Sequence, residues 1–367
     1  MTLNVELVAS LLLFFSLSLC EMAYISKEDD LDLERQSKEG DIIDCVDINN
    51  QPALDHPLLK NHKVQIEPSL HVTSLHRTSL NVKSVIFGLR ETCPIGTVPI
   101  RRVTKEDLMR ARSLPKIPSI AAMRQNNMIE NVKYGGGGGT TTYKLNVAPD
   151  QLSAHNMWIE TGPPEHVSMI VAGWMVSPQL YGDVRSRTFA YWTGDGYRNG
   201  CYNVLCPGFV QVDREITLGY ALEPTSTYGG PQYELVIHIE QDRDTGNWWL
   251  ILNNQRNKVG YWPKELFLYL RNGSLHTAWG GIGIAGSNGF CPPMGSGHKP
   301  DGVFKHATVF RKLHWVRSDG KFLPPSNKTM EWVDKSHVYG MLNYGQTWQY
   351  KSGYVISFGG PGGYCKV

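Results

Sequence analysis

The strongest constraint on the fold is a run of alternating residues between Gln232 and Glu240. One side of the run is apolar and the other is mostly polar, with Val236 as the exception. A period of two is that of a half-buried β-strand. Turn residues at 242–247 and an apolar run at 248–252 then predict a hairpin. Helical periodicity is nearly absent after residue 131, so we predict an antiparallel β-sandwich.

Composition supports an all-β chain and limits its partners. Charged residues are 19% of the sequence, while Gly, Trp and Tyr number 37, 10 and 17. This mixture is typical of many short strands joined by glycine turns. The length of 367 residues is sufficient for two domains. A net charge of +2 without a basic stripe excludes nucleic acid as an expected partner.

The N-terminus predicts a secretory signal peptide over residues 1–23. An apolar run from Leu7 to Leu19 is followed directly by Glu21 and by further acidic residues. The run is too short to span a bilayer, although no Lys or Arg precedes it. No second apolar segment approaches membrane length, so we expect a secreted protein without a membrane partner.

Cysteine usage agrees with an oxidising compartment. Removal of Cys20 with the signal peptide leaves an even number of cysteines, which allows fifteen pairings. The six are Cys45, Cys93, Cys201, Cys206, Cys291 and Cys365. Sequons at Asn272 and Asn327 predict N-glycosylation in a secreted chain.

Two features predict the organisation before the main β region. Thr104 to Asp107 has the character of a capping box and predicts a short helix that ends before Pro115. From Pro115 through Pro118, the sequence leads into a stretch that we expect to be an exposed linker. Five glycines at 135–139 predict a flexible loop, since no Lys-Ser/Thr follows them to form a phosphate-binding loop.

Seven motifs occur in a fixed order: LYGD, YWT-x-DGY, GCYN-x-LC-x-GF-VQ, GNWWL, GYWP-x-x-LF, MGSGH and FGGPGG. Their order resembles the plant neprosin family of secreted endopeptidases, which use two glutamates and cut beside proline. The resemblance implies a smaller mixed activation segment at 24–131 and a neprosin-like β-sandwich domain at 134–367. It also implies that residues 135–139 begin the first strand of that domain.

The resemblance places an apolar residue at each catalytic position. The family glutamate in the segment IVAGW is replaced by Val171, and the one after WGG is replaced by Ile282. A glutamic peptidase needs one charged and one protonated carboxyl to activate water and protonate the leaving nitrogen. Neither replacement exchanges protons. We expect both side chains to lie close together on one sheet and to pack against each other.

Other residues near these positions supply candidates for a binding cleft or for a displaced carboxylate pair. The cleft candidates are aromatic, and such rings suit both proline and sugars; they are Trp174, Tyr181, Tyr191, Trp192 and Trp279. The remaining carboxylates are Glu160, Glu165, Asp183 and Asp195. We expect no metal and no cofactor, because neither HExxH nor another metal-ligand spacing occurs.

The resemblance also bears on the disulfides. It implies a local Cys201–Cys206 bridge and a Cys45–Cys93 bridge in the activation segment. The family partner of Cys365 aligns near His337, so a rewired Cys291–Cys365 bridge is one possible pairing.

Three functions remain open on this evidence. The preferred one is a catalytically inactive, monomeric relative that binds a peptide, including proline-containing peptides, or a cell-wall polymer. The second is an active acid endopeptidase with a displaced carboxylate pair. The third is a structural paralogue without a ligand.

Overall fold

The computed structural model describes residues 33–37, 40–69, 82–85, 87–112, 118–125, 132–253, 257–326, 329–347 and 353–365. The predicted signal peptide, Cys20 and the sequon at Asn327 lie outside these ranges. Across the described residues, no helix has the length and hydrophobicity needed to cross a membrane.

The predicted all-β architecture is confirmed, with two large sheets that pack face to face. The ten-stranded sheet has the order β10 (Val210–Gln211), β13 (Asn257–Trp262), β12 (Trp248–Leu252), β11 (Gln232–Gln241), β6 (Gly135–Thr141), β16 (Thr308–Val316), β20 (Gly353–Gly359) and β19 (Gly340–Thr347). Two short strands join it, β17 (Phe322–Leu323) beside β16 and β3 (Val82–Ser84) parallel to β11.

The second large sheet has six strands and contains both positions of interest. Its order is β18 (Thr329–Val333), β5 (Pro118–Gln125), β14 (His276–Ile284), β7 (Leu152–Thr161), β8 (Ser168–Val176) and β9 (Arg187–Thr193). All the pairings between these strands are antiparallel. The main hydrophobic core lies between the two large sheets and includes Trp248 and Ile237 from one and Trp279 from the other.

The smaller elements complete the chain. A three-stranded sheet contains β1 (Leu33–Gln36), β2 (Ile42–Asp47) and β4 (Thr97–Arg101), and a two-stranded sheet pairs β15 (Phe290–Cys291) with β21 (Gly363–Tyr364). The helices are α1 (Lys105–Arg112) and α2 (Pro178–Tyr181), with 3-10 turns at Pro52–Asp55, Pro57–Leu59, Pro164–His166 and Lys264–Leu266.

The capping box predicted before α1 is present. The Asp107 backbone N–H donates to Thr104 Oγ1 at 3.1 Å, and the Thr104 N–H donates to an Asp107 carboxylate oxygen at 2.8 Å. These two bonds satisfy donors at the start of the helix that would otherwise lack partners.

The prediction of an exposed linker after Pro118 is wrong. Strand β5 pairs with β14 on one side and with β18 on the other. The activation segment therefore contributes a strand to the interior of the six-stranded sheet. The error arose because prolines were taken as evidence against a strand, whereas proline is tolerated at a strand's first position.

The prediction of a flexible loop at the five glycines is also wrong, and the strand implied by the family resemblance is correct. Strand β6 lies in the middle of the ten-stranded sheet, between β11 and β16, and is fully buried. His238 Nδ1 on β11 lies 3.1 Å from His314 Nε2 on β16, directly across Gly137. A Cβ at Gly137 would lie 2.8 Å from the His314 ring, so glycine allows this contact.

Three disulfides connect the six cysteines. Cys45–Cys93 closes within the activation segment, Cys201–Cys206 closes a short loop, and Cys291–Cys365 joins the two-stranded sheet. The rewired third bridge is therefore present. Asn272 lies exposed in the turn before β14, an accessible position for the predicted glycan.

Candidate functional site

Val171 and Ile282 lie on the same face of the six-stranded sheet, but they are not neighbours. Val171 on β8 pairs with Trp158 of β7, which in turn pairs with Ala278 of β14. Ile282 on β14 pairs with Ala154 of β7. The two positions are thus two strands and four residues apart, about 16 Å in a flat sheet. The two residues lie on one sheet, as expected, but the expectation that they lie close together and pack against each other is wrong, because this distance exceeds what branched aliphatic side chains span.

We call the side of the sheet that carries Val171 and Ile282 the cleft face. Val171 is buried, with 5% of its surface exposed, and Ile282 is partly exposed. Both belong to a hydrophobic cluster separate from the core between the sheets. Val171 and Ile282 are therefore apolar side chains in an apolar environment, where an unpaired carboxylate would be unfavourable.

Three of the predicted cleft aromatics are core residues. Trp174 and Trp279 each lie three positions along a strand from Val171 or Ile282, and side chains alternate between the two faces of a strand. Trp174, Trp192 and Trp279 are at most 1% exposed and pack in the core between the sheets. The prediction that they line a cleft is wrong.

The two predicted tyrosines are buried in the hydrophobic cluster that contains Val171. Tyr191 pairs directly with Val171, and Tyr181 of α2 packs in the same cluster. Burial raises the pKa of Tyr181 to about 12 and holds the pKa of Tyr191 well above its usual value. Both phenols therefore stay protonated at physiological pH, where neither serves as a general base.

One carboxylate occupies the cleft face among the described side chains of the six-stranded sheet. Glu160 on β7 is 3% exposed and pairs with His276 on β14 and with Met169 on β8. Glu160 is two residues along β7 from Trp158, which pairs with Val171. Sequence analysis included Glu160 among the nearby carboxylates but gave no reason to prefer it.

The other carboxylates named from the sequence have different roles. Asp195 lies 2.6 Å from His166, and Asp183 accepts a hydrogen bond from Arg187 Nη2 at 2.6 Å. Glu165 lies in a 3-10 turn outside the sheet. Within the described ranges, no group of three or more His, Cys, Asp or Glu side chains is arranged to hold a metal ion.

Arg187 at the edge of the cleft face joins the two parts of the chain. Its guanidinium donates to both oxygens of Asp41 in the activation segment, each at 2.9 Å, as well as to Asp183. Burial alone would raise the pKa of Asp41, but the bonds and charge of Arg187 outweigh burial and lower it. Asp41 is thus held ionised and cannot supply the protonated member of a carboxylate pair.

Sequence analysis missed Asn156, which lies between the two positions of interest. It is on β7 and pairs with Gly280 of β14 and Gly173 of β8. Asn156 is fully buried, and neither atom of its amide has a hydrogen-bond partner among the described residues. Only the cross-strand register, which one sequence does not provide, reveals this position.

Comparison with known families identifies both parts of the chain. The neprosin family model matches residues 149–361, and the neprosin activation peptide model matches residues 34–136. The first match covers more than half of the sequence, so the chain belongs to the neprosin family.

Two solved structures of glutamic peptidases show a distant likeness to this chain. Scytalido-glutamic peptidase with a peptide-based transition-state analogue is 9% identical, with a TM-score of 0.34 over 65% of this chain and 97% of that one. SCP-B, an eqolisin family member in complex with the tripeptide Ala-Ile-His, is 10% identical, with a TM-score of 0.32 over 65% and 96% of the two chains.

Proposed function

We propose that this protein is a secreted, non-catalytic member of the neprosin family that binds an extended peptide on the cleft face. The observation that carries the proposal is the nature of Val171 and Ile282, the two residues that the family resemblance aligns with the catalytic glutamates. A proton must be taken from water and given to the leaving nitrogen, and neither aliphatic side chain does either. The neutral tyrosines on the same face do not replace them.

The ligand class follows from the family and from the surface. The apolar and aromatic lining of the cleft face, including Tyr191, suits the rings and methylenes of a proline-containing peptide. A cell-wall polymer is the alternative ligand, since sugar faces also stack on aromatic rings. The three disulfides and the predicted signal peptide support secretion.

An active acid endopeptidase with a displaced carboxylate pair is the second candidate, and Glu160 is the observation that favours it. Glu160 is buried on the cleft face, on the strand that lies between the strands of Val171 and Ile282. The mechanism requires a second carboxylate within reach of the same water. Within the described strands of the sheet, no second carboxylate shares this face, so we prefer the binding function.

The test combines cleavage and binding with one set of proline-containing peptides. The full-length protein, and the protein after trimming by an added protease, are incubated with the peptides from about pH 2 to about pH 8. We expect binding by fluorescence anisotropy and no cleavage products by mass spectrometry. Cleavage that disappears in Glu160→Gln would establish the displaced-acid enzyme. Absence of binding to every peptide would refute the binding function.

Restoring both acids provides a matched control for the assay. Val171→Glu and Ile282→Glu alone should remain inactive, because each lacks the second proton-transferring group. The double variant Val171→Glu/Ile282→Glu is the form in which acid-dependent cleavage should appear. Circular dichroism is recorded first, since two buried carboxyls destabilise the sandwich.

A further inference from the structure

A row of residues crosses the cleft face between Val171 and Ile282. Cross-strand pairs define its members from β18 to β9 as Trp332, Ala122, Gly280, Asn156, Gly173 and Phe189. We call these residues the central row. Small side chains and one amide lie between aromatic ends. Six strands at a spacing of about 4.8 Å make the row about 24 Å long, which an extended chain of about seven residues covers.

The two residues of interest lie on opposite sides of the central row. Val171 belongs to the row of Trp158, and Ile282 belongs to the row of Ala154. Each of these rows is two residues from Asn156 along β7. A chain lying along the central row therefore passes between Val171 and Ile282.

Asn156 is the only member of the central row with a polar side chain, and its surroundings leave the amide unsatisfied. Both cross-strand neighbours are glycines, so no side chain from an adjacent strand reaches it in the row. A Cβ at Gly173 would lie 2.7 Å from the Asn156 Cα, which excludes a larger residue there. Among the described residues, neither the amide oxygen nor the amide nitrogen has a partner. Buried polar groups without hydrogen bonds are rare and require an explanation.

We propose that Asn156 binds the backbone of an extended peptide that lies along the central row. The inference rests on the proposed peptide-binding function and identifies its recognition residue. A primary amide has both an acceptor and donors, and these match the N–H and C=O of a peptide backbone. This recognition is independent of the ligand's side chains. Trp332 at the β18 end of the row is partly exposed and provides an aromatic contact for a proline ring.

The exposure of the row indicates the side from which a peptide enters. Trp332 at the β18 end is partly exposed, whereas Phe189 at the β9 end is 3% exposed. The ring of Tyr202, in the loop closed by Cys201–Cys206, lies 6.4 Å from Phe189. The β9 end is therefore covered, and the ligand enters from the β18 end of the row. Because Asn156 is fully buried, binding requires the side chains that cover it to move.

The experiment separates recognition from stability by replacing the amide with an apolar group of similar shape. Asn156→Leu and Asn156→Ala are made in the full-length protein, and binding of a fluorescein-labelled seven-residue proline-containing peptide is measured by anisotropy. We expect at least about tenfold weaker binding, because a buried amide pair is lost. The melting temperature should stay the same or rise, because the unsatisfied amide is removed. A merely structural asparagine would give the opposite pattern.

Controls make each outcome decisive. Thr277→Val removes another buried hydroxyl without a described partner, on the opposite face of β14, and should leave peptide affinity unchanged. A peptide methylated on its central backbone nitrogens should bind wild-type protein weakly. Equal affinity of wild type and both Asn156 variants overturns the inference while the binding function stands. If wild type binds wall oligosaccharides but no peptide, both the inference and the proposed peptide function are wrong.

Discussion

The glycine strand gives a prediction whose magnitude follows from the contacts that an added Cβ would make. In Gly137→Ala, the new Cβ would lie 2.7 Å from the Ile237 carbonyl oxygen, 2.8 Å from the His314 ring and 3.0 Å from His238 Nδ1. Overpacking of this kind costs about 1–3 kcal/mol. Loss of the buried His238–His314 hydrogen bond adds about 1–3 kcal/mol. We therefore expect the free energy of unfolding to fall by about 2–6 kcal/mol.

Urea unfolding monitored by tryptophan fluorescence at neutral pH measures this loss. The matched control is Gly340→Ala on the edge strand β19, where a Cβ would make an ordinary contact of 3.4 Å with Pro300. In a His314→Ala background, the cost of Gly137→Ala should decrease, because one of the colliding groups is absent. The reasoning is refuted if Gly137→Ala is as stable as the Gly340→Ala control.

Three further predictions concern the activation segment. Purified precursor held at about pH 3 should stay full length on a gel, because Val171 and Ile282 cannot support self-cleavage; a shorter species formed without added protease contradicts this. The lowered pKa of Asp41 adds stability above its unfolded value of 3.8, and that stability is lost as pH falls through the folded pKa. Asp41→Asn should therefore flatten the fall in urea midpoint below about pH 4, and an unchanged slope would show that the Arg187 ion pair is irrelevant. A protease site placed within 126–131 should, after cleavage, leave both fragments together in size-exclusion chromatography, because β5 is paired on both sides; separation of the fragments would contradict that pairing.

The fold class and much of the local structure could be predicted from the sequence, because the signals that indicate them lie within short segments. Alternation in Gln232–Gln241 is a local signal, and this segment is strand β11 of a sandwich. The capping box at Thr104 is local as well. Cysteine pairing depends on distant contacts, but the family resemblance supplied two of the bridges. Alternation could also have excluded Trp174 and Trp279 from the cleft, since each lies an odd number of positions from Val171 or Ile282.

The features that sequence reasoning missed depend on register between strands. Asn156 becomes a candidate only when Gly280 and Gly173 are known to lie beside it. Likewise, the glycines of β6 look flexible until His238 and His314 are placed on either side. Such pairings join residues far apart in the chain. A one-residue slip in register would move every side chain of the strand to the other face of the sheet. A single sequence does not specify these strand pairings.

The proposed loss of both acids and the activation segment are related through the central row. Ala122 on β5 belongs to the row, between Gly280 and Trp332, so the segment contributes to the proposed binding surface. In a relative that removes its own segment, β14 would lose this neighbour when the enzyme becomes active. A chain with Val171 and Ile282 does not cleave itself in this scheme and therefore keeps β5 in place. Loss of catalysis would then preserve the full row across six strands, which is the surface that the proposed peptide ligand requires.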